Sequence, residues 1–225
     1  AWGGVYQYST GGDFEHPHYE KLTTLQGEYL RVYALAYATT GDERWLRVAT
    51  RIRDYATTFL AAPDGGYYAS QDADLRPGEH SAAYFALDDA GRRKLGVPRV
   101  DRHRYARETG AMVEALAYLH EVSGDERALA AAAESARWAL AERALPGGGF
   151  RHDANDAAGP YLGDTLAMGR ALLQLYRSTG EREWLAHAAA AGDFIATHFR
   201  APAGFASAAR GDTPIAPVPH LDENI

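Results

Sequence analysis

The chain has 225 residues, enough for one domain with a sizeable core. Its 23 Lys and Arg against 30 Asp and Glu leave a formal charge of −7, and no basic run or stripe suits a phosphate backbone, which argues against nucleic acid as a partner. Cysteine is absent, which excludes disulfides, thiolate metal sites and redox-active thiols from this chain; no run reaches the ~18 apolar residues of a membrane span, and no basic-then-apolar signal pattern opens it.

The chain starts on "AWGGVYQYST", without a methionine, as if entered midway. The next segment, "EHPHYEK" (15–21), reads as the start of a helix, because Pro17 suits a first helical position and acids suit a first turn. An apolar pattern at three- and four-residue steps then runs through Leu30, Tyr33, Ala34 and Tyr37. It resumes at Trp45, Leu46, Ala49, Ile52, Tyr55 and Phe59. The break between the two is "TTGDERWL" (39–46), which returns as "VSGDERAL" (122–129) and "STGEREWL" (178–185). In each copy a glycine (Gly41, Gly124 or Gly180) suits the left-handed end of a helix, and the acid after it suits the start of the next. The chain is therefore a repeat of helical hairpins, expected at about 18–61, 103–143 and 161–200, and its fold class is all-α.

Each hairpin closes on a glycine-aromatic segment: "DGGYYAS" (64–70), "GGGFRHD" (147–153) and "AGFASAA" (203–209). The connection over about 62–102 is much the longest. Within it "GYYAS" and "SAAYFAL" read as two short strands, and "DDAGRRKLG" as one or two helical turns. If the first helix of every hairpin runs up and the second down, the tight turns gather at one end and the long loops at the other. Sites usually sit on such loops. The loop end collects His16, His18, Glu20, Lys21, Asp72, Asp74, Glu108, His152 and Asp164, with His220, Asp222 and Glu223 at the end of the chain.

Several of these residues admit two readings. His18 beside Glu20 suits proton transfer at a sugar, because a carboxylate fixes the imidazole tautomer and raises its basicity; His18 as a first-turn residue packing on aromatics is the alternative. In an extended segment Asp72 and Asp74 point to one face, an arrangement used for acid/base work or for a hard cation, and equally found in a polar turn. Glu108 and Asp164 sit near helix starts, where the helix dipole alone favours acids. His152 and His187 read as surface residues. Tyr8 and Tyr68 border the loop end, as sugar-stacking platforms or as caps on the core.

The segments "GGVYQYST", "HPHYEKLTTLQGEYL" and "GGYYASQDAD" resemble the second domain of the YyaL-like, spermatogenesis-associated thioredoxin-domain protein family. The family pattern P-H-F-E-K falls on Pro17, His18, Tyr19, Glu20 and Lys21, and D-A-D falls on Asp72, Ala73 and Asp74. "YLGDTLA" (161–167) is similar to the family's L-x-D-Y-A helix start, with its acid at Asp164. The chain departs from the pattern at Thr24-Leu25, where the family has Y-D, and at Glu108-Thr109-Gly110, where it has W-N-G.

The resemblance implies an (α/α) toroid of the six-hairpin kind, similar to N-acylglucosamine 2-epimerase and many glycoside hydrolases, with about three of six hairpins present here. It also implies a thioredoxin-like domain, which this chain lacks. The expected catalytic residues are His18, Glu20, Asp72 and Asp74, with Tyr8, His16, Lys21, Tyr68, Glu108 and Asp164 binding a small carbohydrate. No cofactor is called for, and the spacing carries no metal signature. A non-catalytic module that binds a partner or positions the thioredoxin-like domain is the competing reading. Finally, "PVPHLDENI" (217–225) looks like the other helix starts, so the chain would stop where a fourth hairpin should begin. A longer protein, a second copy or another chain would then complete the toroid, and apolar side chains would lie bare along the helices near 18–40 and 181–200.

Overall fold

The computed structural model describes residues 2–76, 78–79, 81–155 and 159–209. The helix start expected at 217–225, and with it His220, Asp222 and Glu223, lies outside the described residues.

Three helical hairpins form the body. They are α1 (Thr23–Thr40) with α2 (Glu43–Tyr55), α5 (Ala106–Ser123) with α6 (Glu126–Glu142), and α7 (Leu162–Thr179) with α8 (Arg182–His198). The repeated turn does what its residues suggest. Gly41, Gly124 and Gly180 sit at φ of 67°, 71° and 73°, a conformation costly for any residue with a Cβ, and each N–H closes its helix onto the carbonyl of Tyr37, His120 or Tyr176. Asp42 and Asp125 then cap the next helix through side-chain bonds to the N–H groups of Arg44 and Arg127. Buried Arg53 of α2 ion-pairs with Asp125, which ties the first hairpin to the second.

The first helix of each hairpin is an inner one. Helix α5 packs between α1 and α7, while α2, α6 and α8 pack mainly outside their own partners. Close approach at the loop end is set by two glycines. A Cβ on Gly27 would lie 2.9 Å from the Ala111 carbonyl oxygen, and one on Gly110 would lie 2.7 Å from the Ala167 carbonyl carbon. Leu30, Ala34, Met112, Leu116, Leu119, Met168, Leu172 and Leu175 fill the seam behind them with no exposed surface. The glycine-aromatic segments lock to these helices through threonines: the Tyr67 N–H donates to Thr109 Oγ1 at 3.3 Å and the Phe150 N–H to Thr165 Oγ1 at 3.1 Å.

Two parts of the loop end differ from expectation. Pro17–His18 is a strand (β2) paired with β1 (Tyr8–Ser9), and Lys21–Leu22 is another (β3), so α1 starts at Thr23 and not at 18. The proline and acids that suggested a helix start serve an edge strand instead, where a missing N–H is tolerated. Strand β3 pairs with β4 (Ser70–Gln71), and β4 with β5 (Val100–Asp101), in one antiparallel sheet. "SAAYFAL", expected as a strand, forms the short helix α3 (Ala82–Phe85); Tyr84 and Phe85 are buried, a burial that one helical turn achieves as well as a strand does. "DDAGRRKLG" forms α4 (Asp89–Leu95), two turns capped by Asp88. A last hairpin, β6 (Arg200–Ala201) with β7 (Gly204–Phe205), follows α8.

On α1, Tyr29, Val32 and Leu35 are exposed at three-residue steps; on α8 no large apolar side chain is exposed, so the bare edge expected at 181–200 is not seen. No helix among the described residues is long and apolar enough to cross a membrane.

Candidate functional site

The small sheet decides which loop residues meet. Side chains alternate across a strand. In the sheet register Leu22, Ser70 and Asp101 fall in one cross-strand row and Lys21, Gln71 and Val100 in the next. The first row, carried past the strand ends, brings Glu20, Ser70, Asp72, Asp74 and Asp101 around a cleft of about 230 Å³, which His18 of the separate β1–β2 pair joins, with Arg99 on its wall. The four residues expected to act together, His18, Glu20, Asp72 and Asp74, all line it.

Within the cleft His18 Nε2 stands 3.6 Å from Glu20 Oε2, and the Tyr8 ring stacks on the imidazole with centroids 4.9 Å apart. Asp72 Oδ1 accepts the Asp74 N–H at 3.1 Å, and Asp72 Oδ2 lies 3.8 Å from Arg99 Nε. Asp74 Oδ1 accepts the Ser81 hydroxyl at 3.3 Å. A second hollow of about 460 Å³ shares His18 and Asp74 and adds His16. His16 itself is exposed and bonds Asp13 at 2.6 Å; that bond, with the backbone N–H groups of Glu15 and His16, holds the Asp13 carboxyl well below the usual carboxylate range.

The remaining expected binding residues lie elsewhere. Tyr68 is not in the cleft and has the Arg102 guanidinium 5.9 Å from its ring centroid. Lys21 belongs to the other row of the sheet and points away, being 2 % exposed. Glu108 and Asp164 occupy the same third position of α5 and α7 that Leu25 occupies in α1. Buried Asp164 accepts the Arg107 N–H at 3.0 Å, capping α5 from its neighbour, and bonds His152 Nδ1 at 2.9 Å. Burial, reinforced by the charge of Asp164, pushes the Glu108 carboxyl up.

His152, expected at the surface, is instead half-buried. It stacks on Tyr105 at 4.2 Å, and Tyr105 stacks on His103 at 5.6 Å. His103 bonds Asp101 of the cleft at 2.6 Å, so a row of rings joins the cleft to the Glu108–Asp164 cluster. The sequence held one signal for this: an acid at the third position of two inner helices and an apolar residue at that position in the other. Among the described residues no group of three or more His, Asp or Glu side chains is set to hold a metal ion.

Three parallel inner helices backed by three outer ones have the fold of about half an (α/α) barrel, the architecture of the N-acylglucosamine 2-epimerase and six-hairpin glycosidase type. A sugar epimerase from a ruminal bacterium superposes with a TM-score of 0.71 at 20% identity, over 90% of this chain and 50% of that one. The cellobiose 2-epimerase from Spirochaeta thermophila gives 0.68 at 20% identity, over 88% and 48%. A GH76 α-mannanase from Bacteroides thetaiotaomicron gives 0.67 at 15% identity, over 94% and 50%. At these identities the likeness is one of fold. In sequence, 74 residues (33% of the chain) are 38% identical to spermatogenesis-associated protein 20 of Mus musculus and 35% identical to that of Homo sapiens. The matched stretch spans 9% of those relatives. No family model matches the chain.

Proposed function

We propose that the long-loop cleft is the acid/base site of a carbohydrate-processing enzyme of the epimerase or glycosidase style. The observation that carries this reading is the meeting of His18, Glu20, Asp72 and Asp74 around one cleft at the long-loop end. Such a site needs a group that takes up and returns a proton and a second acid placed across the substrate. His18, oriented by Glu20, fills the first role. Asp72 and Asp74 fill the second, just past the end of β4, and the exposed Tyr8 ring offers a sugar an apolar face.

A non-catalytic module remains the second reading, and one observation favours it. Asp72 and Asp74 spend oxygens on the Asp74 N–H and the Ser81 hydroxyl, bonds that shape their own turn. Under either reading the exposed stripe of Tyr29, Val32 and Leu35 on α1 suits the remainder of a toroid, from the same protein or a second chain. A thioredoxin-like domain is the further partner proposed.

The test is a thermal-shift screen of mannose, cellobiose and mannooligosaccharides on the full chain, followed by product analysis of any sugar that stabilises it. Binding raises the melting temperature by mass action. Saturable stabilisation that is lost in Glu20→Gln and Asp72→Asn supports the enzyme reading. Stabilisation by no sugar, or an effect untouched by these substitutions, refutes it.

A further inference from the structure

The alternation that sends Glu20 into the cleft sends Lys21 to the opposite side of β3. There its Nζ donates to the Gly3 carbonyl and lies 4.0 Å from the centroid of the Tyr55 ring and 5.0 Å from that of Tyr6. It lines a separate pocket of about 240 Å³. A second buried cation lines the same pocket: Arg92, 3 % exposed. Its Nε and Nη2 donate to the carbonyls of Leu87 and Phe85, and its guanidinium sits 5.3 Å from the Trp2 and Phe85 ring centroids. Exposed Arg51 adds a third positive charge to the lining.

Among the described residues neither Lys21 nor Arg92 makes an ion pair with a carboxylate. This is unusual, because buried charges are ordinarily paired. An ammonium has three N–H donors and a guanidinium five; the bonds above use one of the former and two groups of the latter. The cross-strand partner of Lys21, Gln71, is 1 % exposed and also leaves its Nε2 without an acceptor. Besides the carbonyls of Gly3, Leu87 and Phe85, Arg92 bonds the Tyr6 hydroxyl, so the neighbourhood has neutral acceptors but no negative charge to match its two buried cations.

We infer that the pocket bounded by Trp2, Gly3, Gly4, Tyr6, Lys21 and Arg92 binds a small oxyanion, a carboxylate or phosphate group. The anion supplies the missing counter-charge to the two cations, while Val48 and Ile52 offer apolar contact to its carbon body. The present balance agrees: burial, with the charge of Arg92 adding to it, pushes the Lys21 amine down to about 7. An anion at the pocket restores its proton. Around Lys21 the other titratable groups are Arg92, Arg51, Tyr6 and Tyr55. Burial raises both phenols above their ordinary value, away from the Lys21 amine at about 7. This site shares no residue with the cleft proposed above, so either can fail alone.

The experiment titrates the full chain with inorganic phosphate and, separately, with acetate and glucuronate, using chloride at matched ionic strength as the control. Binding is read by calorimetry, and the Lys21 amine by NMR of its side chain. The expected result is saturable binding in at least one arm, with the Lys21 pKa rising by about a unit or more and affinity falling at least tenfold in Lys21→Met and Arg92→Gln. A response to phosphate alone assigns a phosphate site, and one to the organic acids alone a carboxylate site. Binding no stronger than chloride in every arm overturns the inference, as does binding that leaves the Lys21 pKa unmoved. The NMR readout uses the unsubstituted protein, so it holds even where a variant does not fold.

Discussion

Replacing Lys21 by Met should make the protein more stable at pH 6 and remove a pH dependence that the unsubstituted chain shows. The drop of the Lys21 amine from 10.5 to about 7 corresponds, at about 1.36 kcal/mol per pKa unit, to roughly 5 kcal/mol held against the folded state when the amine is charged. Two effects oppose this. The bond to the Gly3 carbonyl contributes about 1 kcal/mol, and the approach to the Tyr55 and Tyr6 rings about 1–2 kcal/mol in a desolvated setting. The net gain for the variant at pH 6 is therefore about 2–3 kcal/mol. Between pH 7 and 10 the unfolded chain keeps its Lys21 proton and the folded chain does not, so stability of the unsubstituted protein rises with pH across that window. The variant has no such group, so its advantage is lost at about 1.36 kcal/mol per pH unit, within roughly two units above pH 7. Urea unfolding of both proteins at pH 6, 7.5 and 9 measures the difference without assuming reversibility on heating. Parallel pH profiles for the two proteins would refute the reasoning, because the buried amine would then carry no penalty.

Three further outcomes follow from the packing. Gly110→Ala puts a methyl against the Ala167 backbone, which cannot give way as a side chain would, and should cost about 1–3 kcal/mol or more by overpacking, read as a lower urea midpoint with unchanged slope. Asp164→Asn weakens the cap on α5 and the bond to His152, and should destabilise by about 1–3 kcal/mol; amide exchange at Arg107 should quicken more than at the tight-turn end. Glu108→Gln removes an acid that burial holds above its ordinary value. The folded state binds more protons than the unfolded one above the ordinary glutamate value, so the unsubstituted protein loses stability as pH rises through that window, and the variant should overtake it at pH 7 while the two converge near pH 4. Equal stability of the Glu108 pair at both pH values would show that its burial is unimportant.

The hairpins were legible because their signals are local and repeated. A left-handed glycine followed by an acid marks a helix-helix turn, and three copies fix the phase of six helices, although only Asp42 and Asp125 cap through their side chains. The strand at 17–18 and the one at 21–22 were not legible, since a proline followed by acids serves a helix start and an edge strand equally well. With α1 expected from 18, Glu20 and Lys21 would have stood about 100° apart around one helix. In a strand they part, one to the cleft and the other to the core. That single difference in local structure separates two sites that the sequence presented as one. The grouping of His18, Glu20, Asp72 and Asp74 was still visible, because it depends on which loops share an end of the bundle and not on their local conformation. The partnership of His152 with Asp164 was hidden by distance along the chain: twelve residues and a loop separate them, and neither carries a signal of the other.

The most direct test of the account asks whether the cleft performs chemistry on a sugar. The sugar that gives the largest thermal shift in the screen is incubated with the full chain in D₂O, and its anomeric and C2 protons are followed by NMR. The account predicts conversion, seen either as deuterium entering C2 or as a new reducing end, with rates falling at least ~100-fold in His18→Asn and in Asp72→Asn, the usual range for removal of an acid/base group. Conversion that proceeds at the same rate in both variants would contradict it, as would a tightly bound sugar that stays unchanged.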